Sequence, residues 1–341
     1  MGFLRLRASI ARRTGTTSGG TRMARVAVIG AGTMGHALAL VFALGGHRVR
    51  LTDSNPDTLA KAQGLMETAL ATLVEGGEAP KDWTSGHLAQ AVTRHESLEE
   101  TVDGAELIVE AIIEVPEAKR VLYRRLDACA PADAIFASNT SQLDVFPLIP
   151  ERRQARAMIA HWYTPPYLVD LVDMIPGPQC DPAAFEHVFG LLKAMGKQPL
   201  GLKKFVPGYV ANRIQAAIGL EVQHLLDEGV ASAPEIDAAI IHGLALRWPI
   251  LGVCAKADFT GLALMQALAR NKSYTPPEPR ESSPVLDRLV AEGRTGVLAG
   301  AGYYDWPGDP ARLFEARDRR LIALKQAMRE IGTMAGLERS A

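Results

Sequence analysis

The chain has 341 residues, 48% hydrophobic and 22% charged, which is enough for two domains of ordinary size. Its 37 basic and 38 acidic residues leave a formal charge of -1, which excludes a broad electrostatic footprint for nucleic acid or an anionic membrane surface and leaves a small molecule as the expected partner. Cys129, Cys180 and Cys254 are too few and too scattered for a disulfide framework or a zinc site, and no apolar run reaches the roughly 18 residues that span a bilayer, so a soluble, cytoplasmic protein without a metal is expected.

Residues 1–22 hold Arg5, Arg7, Arg12, Arg13 and Arg22 among Ser and Thr, with no acidic residue. This reads as a disordered leader or a start placed too early, since Met23 directly precedes the first strand; it is also the composition of an organelle transit peptide. From residue 25, short apolar runs alternate with amphipathic segments, the pattern of strand and helix units in a parallel sheet. The expectation is an α/β fold, with an N-terminal Rossmann doubly wound sheet over residues 23–205. Strands are expected at 25–29, 48–52, 91–94, 107–112, 134–137 and 157–161, and helices at 33–44, 56–74 and 116–128. The last of these opens on Pro116, at a position where a missing N–H is harmless. Residues 76–90, with Gly76, Gly77, Pro80 and Gly86, read as a loop.

The texture changes near 202–208, where Pro207 and Gly208 interrupt the chain. Beyond them an all-helical domain is expected over 206–341, with helices at 209–227, 234–241, 260–271, 284–291 and 310–335. The proline-rich stretch 273–283 is expected to be a connection.

Directly after the strand RVAVI stands GAGTMG, with Gly30, Gly32, Thr33, Met34 and Gly35 opening a helix. A lone GxGxxG says little, but here strand, glycines, helix and second strand are followed by Asp53, 23 positions after Gly30. Gly30 permits the tight turn, Gly32 lets backbone approach a pyrophosphate, and Gly35 lets helix and sheet pack closely. The helix N-terminus offers free N–H groups to the phosphates. Asp53 suits the two ribose hydroxyls of the adenosine half and would repel a 2′-phosphate, so NAD is favoured over NADP. Glu110 and Glu114 in VEAIIE sit at and beyond the carboxyl end of a strand, where ligands bind, so one of them, Glu110 first, is expected to face the nicotinamide half. Either also suits a helix N-terminus.

Four further motifs follow in order: SNTSQL (138–143), AHWYTPP (160–166), LVDLVDM (168–174) and PGYVANR (207–213), with GAGYYDW (300–306) near the end. Together they resemble the 3-hydroxyacyl-CoA dehydrogenase family, from Val26 to about Trp306. The resemblance implies that His161 is the general base for a 3-hydroxy group, a task suited to imidazole because its unperturbed pKa is about 6.5. It implies that Ser141 touches the substrate oxygen and the nicotinamide ribose, that Asn212 hydrogen-bonds the reacting oxygen, and that Asn139 joins the cofactor contacts. Asp173 stands where the family has glutamate, the carboxylate that orients the histidine; it is one methylene shorter. Asp170 is a possible substitute, though strand alternation would turn it to the other face.

The resemblance implies oxidation of a 3-hydroxyacyl-CoA. However, the serine and lysine with which such enzymes hold coenzyme A fall near Ala69 and Gly76 here, and residues 56–80 contain a single lysine, Lys61. The alternative is a free 3-hydroxy acid, as for the L-gulonate and carnitine 3-dehydrogenases, with Arg213 or Arg247 pairing the carboxylate. A second alternative is an NAD-binding protein that has lost catalysis. A homodimer through helical second domains is expected, with Ile214, Ile218 and Leu225 on its apolar face.

Overall fold

The computed structural model describes residues 23–272 and 274–334, so the leader lies outside the described residues. Among them are eight strands: β1 (Arg25–Ile29), β2 (Arg48–Thr52), β3 (Val92–Arg94), β4 (Leu107–Glu110), β5 (Ile135–Ser138), β6 (Ala157–Trp162), β7 (Leu171–Pro176) and β8 (Gln198–Gly201). The helices of the first part are α1 (Gly35–Leu44), α2 (Pro56–Glu75), α3 (Ser85–Ala91), α4 (Leu98–Val102), α5 (Pro116–Cys129) and α6 (Pro182–Ala194). Those that follow are α7 (Ala211–Asp227), α8 (Ala233–Ala239), α9 (Trp248–Leu251), α10 (Cys254–Thr260), α11 (Leu262–Asn271), α12 (Pro284–Ala291) and α13 (Pro310–Ile331).

Strands β1, β4 and β5 are near-continuous apolar runs because helices cover both of their faces. All strands form one sheet in the order β3-β2-β1-β4-β5-β6-β7-β8, parallel except that β7 runs antiparallel to β6. One apolar core lies under α1, α2 and α6, and the other under α4 and α5. The expected Rossmann sheet is therefore present, extended by β7 and β8.

Local signals account for most boundaries. Asn55 and Asp309 cap α2 and α13, each helix opening on proline. Within the stretch read as a loop, Thr84 and His87 form a reciprocal cap that starts α3. The helix expected from 209 begins at Ala211, because Gly208 (φ +78°) and Tyr209 (φ +52°) turn the chain through left-handed backbone first. Gly261 (φ +98°) separates α10 from α11, and residues 240–245 are wound as a π-helix.

The last helix does something its own pattern does not announce. α13 returns to the Rossmann sheet and packs on α2, burying Ile322 to 3% exposure. Ion pairs frame the contact: Arg319 to Glu75 at 2.9 Å, Arg329 to Glu78 at 2.7 Å, and Lys325 to Asp170 at 2.6 Å.

Candidate active site

The glycine loop is shaped to exclude side chains on one side and to admit a ligand on the other. A Cβ on Gly30, whose φ is +100°, would stand 2.6 Å from the Ala111 carbonyl oxygen, and one on Gly35 would collide with the Gly30 carbonyl. Gly32 meets nothing within 4 Å, so the space beside it is open at the N-terminus of α1. Asp53 accepts the Ala31 N–H at 2.7 Å and the Asn55 N–H at 2.8 Å, which fixes its carboxylate against the loop and leaves lone pairs for ribose hydroxyls. A cavity of about 570 Å³ lined by Gly30, Gly32, Asp53, Ile112 and Val121 lies alongside. These residues fit an adenine dinucleotide. Thr33 is exposed at the start of α1, and Met34 lies against Thr164, its sulfur 3.2 Å from the threonine hydroxyl.

Glu110 does not line this cleft. Its side chain is buried beneath the sheet end, where Lys119 (2.6 Å), Tyr123 (2.8 Å), Ser138 (2.5 Å) and the Ile112 N–H (2.9 Å) donate to it. Both carboxylate oxygens are thus occupied by donors from within the protein. Glu114 is the carboxylate that reaches the loop after β5. It accepts from the Thr140 hydroxyl and from the backbone N–H groups of Ser141, Gln142 and Leu143. Burial works against its charge, but these donors and Lys119 bring its pKa net below the ordinary value. Asn139 uses its side-chain oxygen to accept the Trp162 N–H at 2.8 Å, tying the end of β5 to β6.

His161 and Asp173 face each other across the antiparallel β6–β7 pair. His161 is 3% exposed and Asp173 fully buried, with Nδ1 and Oδ2 3.6 Å apart, beyond hydrogen-bond length. The shortened carboxylate thus falls short of the imidazole. Its Oδ2 instead accepts the Tyr163 hydroxyl at 2.5 Å, and burial together with that carboxylate pushes the Tyr163 phenol well above its usual pKa. Asp170 lies on the other side, paired with Lys197 and Lys325, and does not substitute.

The Gly208–Tyr209 turn joins the loop that carries Ser141 to the start of α7 and packs against His161. The Gly208 N–H donates to the Ser141 carbonyl, and the Tyr209 hydroxyl to the Thr140 carbonyl. The Tyr209 ring packs on His161 with centroids 4.9 Å apart, and Asn212 opens the helix that follows. A non-glycine residue in left-handed backbone costs about 1–3 kcal/mol, and here the buried phenol anchors it.

A second cavity, of about 440 Å³, lies between the start of α1, the Thr164–Tyr167 loop, α2 and α13. Thr33, His36, Thr68, Ala69, Phe314 and Arg317 are among its walls. Arg317 is the cation here, partly exposed and paired with Asp318 at 2.7 Å. Arg213 and Arg247 do not line this cavity. Tyr163, Tyr209 and Arg317 were not singled out from sequence. For Tyr163 the adjacent signal was the shortened Asp173 itself; for Arg317 there was none.

Comparison with known proteins identifies the family. Residues 25–205 match the family described as 3-hydroxyacyl-CoA dehydrogenase, NAD binding domain, and residues 208–306 match its C-terminal domain. The chain is similar to L-carnitine dehydrogenase of Streptomyces griseus, 32% identical over 89% of each chain. It is equally similar, at 32%, to Homo sapiens mitochondrial hydroxyacyl-coenzyme A dehydrogenase, over 82% of this chain and 90% of the relative. A solved structure of 5-formyl-3-hydroxy-2-methylpyridine 4-carboxylic acid 5-dehydrogenase is similar at a TM-score of 0.80 and 25% identity, covering 90% of this chain and 99% of that one. The chain belongs to the 3-hydroxyacyl-CoA dehydrogenase family, whose members are NAD-dependent oxidoreductases acting on CH–OH groups.

Proposed function

We propose that this enzyme oxidises the hydroxyl of a small, free 3-hydroxy acid to a ketone, with His161 as general base. The observation that carries the choice of a free acid over a coenzyme A ester is the position of α13. This helix begins beyond residue 306, where the family match ends, and lies on α2 over Gly76, near where the family's coenzyme A lysine falls. The first-expected acyl-CoA substrate therefore loses both its anchor and the open surface beside it. What remains is the half-open cavity lined by threonines, Arg317, Glu315 and Asp318, a size suited to a small acid whose carboxylate would compete with Asp318 for Arg317. The names of two similar proteins, L-carnitine dehydrogenase and the pyridine carboxylic acid dehydrogenase, also denote free acids.

NAD, when bound, supplies the hydride acceptor. The chain's own residues handle the proton and the oxygen. His161 Nε2 takes the hydroxyl proton, while Nδ1 faces Asp173, whose negative charge favours the imidazolium that results. The Ser141 hydroxyl and Asn212 amide hold the reacting oxygen, and in the reverse direction polarise the ketone. Arg317 pairs the substrate carboxylate.

The protein works as a homodimer in this reading. α7 has no fully buried residue, and Ile214, Phe259, Leu262, Met265 and Leu268 leave apolar surface on the helices that follow the hinge. The deciding assay follows NADH absorbance with L-3-hydroxybutyryl-CoA and longer acyl-CoAs beside L-gulonate, carnitine and 3-hydroxybutyrate. Turnover of free acids alone is expected; efficient turnover of the CoA esters overturns the free-acid reading.

A further inference from the structure

The family's glutamate has been replaced here by aspartate, yet the carboxylate is not left adrift. Asp173 sits opposite His161 in the strand register, fully buried, and its Oδ2 stands 3.6 Å from the imidazole Nδ1. The same oxygen receives the Tyr163 hydroxyl at 2.5 Å. Tyr163 also packs edge-on against His161, ring centroids 4.7 Å apart. One phenol therefore touches both the base and its carboxylate.

We propose that Tyr163 is a positioning residue: its hydroxyl clamps the short carboxylate of Asp173 in line with His161, so that Tyr163 and Asp173 together do what one glutamate does in the family. The inference rests on the reading of His161 as general base. Its steric logic is specific. A glutamate at 173 carries its carboxyl group about 1.5 Å further, one C–C bond, so the 2.5 Å contact with the Tyr163 hydroxyl cannot be kept unchanged. A phenylalanine at 163 would leave Asp173 without its buried donor. Tyr with Asp, or Phe with Glu, are the two self-consistent pairs; Phe with Asp and Tyr with Glu are not.

The test is a double-mutant cycle on the full chain: Tyr163→Phe, Asp173→Glu and both together, read by turnover of 3-hydroxybutyrate and carnitine with NAD. In parallel, the ring-nitrogen NMR shifts of His161 are recorded with isotope-labelled histidine and assigned by His161→Gln. Each single change is expected to lower kcat about tenfold, with the KM for NAD unaltered, and the pair to recover to within about threefold of the parent. Tyr163→Phe should also disturb the His161 tautomer seen by NMR, and the double variant should restore it, a readout that needs no substrate. Simple additivity of the two changes, or an unaltered His161 signal in Tyr163→Phe, overturns the proposal. Full activity in His161→Gln would instead sink the general-base reading.

Discussion

Ile322 of α13 stands against Gly76 of α2, its Cδ1 2.7 Å from the point where a Cβ on that glycine would be. Gly76 is thus the seat of the covering helix. Ile322→Ala should cost about 2–5 kcal/mol of the docking of α13, as for a buried large-to-small change. Hydrogen exchange of α13 amides should rise in this variant while the amides of β1 and β4 stay protected; unchanged protection of α13 would mean the helix is not held through this contact.

Arg317 should act on binding and not on chemistry. Loss of a charge-assisted contact to a carboxylate is worth about 1.5–3 kcal/mol, so Arg317→Met should raise KM for the acid roughly ten- to hundredfold and leave kcat within about threefold. Steady-state kinetics with the best free acid decides it: a fall confined to kcat would remove Arg317 from the substrate site.

The buried Glu110–Lys119 pair is a structural liability when broken. Lys119→Met would leave the Glu110 carboxylate in the core facing only Tyr123, Ser138 and a backbone N–H, and should destabilise the fold by about 3–5 kcal/mol. Glu110→Gln together with Lys119→Met should recover part of that loss, since the fully buried charge at 110 is gone and only the half-buried Glu114 loses its cation. Urea midpoints of the two variants against the parent check this.

Lys197 gives a pH dependence. Burial, opposed by Asp170, brings its ammonium down from 10.5 to about 8. Between those values the unfolded chain binds more protons than the folded one, so this group's contribution makes stability rise with pH, at up to about 1.4 kcal/mol per pH unit. The cost of charging the buried amine is fully present below about 8 and relieved toward 10.5. Lys197→Met should lack that slope in denaturant midpoints compared across the window; identical slopes would mean the amine titrates normally.

Asp53 should carry cofactor choice. Asp53→Ala removes the acceptor of the Ala31 N–H as well as the ribose contacts, and is expected to weaken NAD about tenfold or more while narrowing its preference over NADP. Quenching of protein fluorescence by the two cofactors measures both effects.

The sequence by itself determined what depends on near neighbours. The apolar runs of β1, β4 and β5, the GAGTMG turn, the capping residues and Asp53 each act within one strand–helix unit, so their spacing states their role. Ser141, His161, Asp173 and Asn212 were legible as ordered motifs, and the shortening at Asp173 could be seen as a departure. What filled it could not, because whether a buried carboxylate meets an imidazole or a phenol depends on how the side chains of β6, β7 and Tyr163 pack together. Glu110 and Glu114 were not separable in one dimension: which of two carboxylates lies beneath the sheet and which reaches the loop depends on where Lys119 and Tyr123 of α5 come to rest. The covering of α2 by α13 was decided only in three dimensions. Lys325 meets Asp170, and Arg329 meets Glu78, across separations of 155 and 251 residues, and burying the Ile322 side chain on Gly76 rewards a contact that no local pattern encodes.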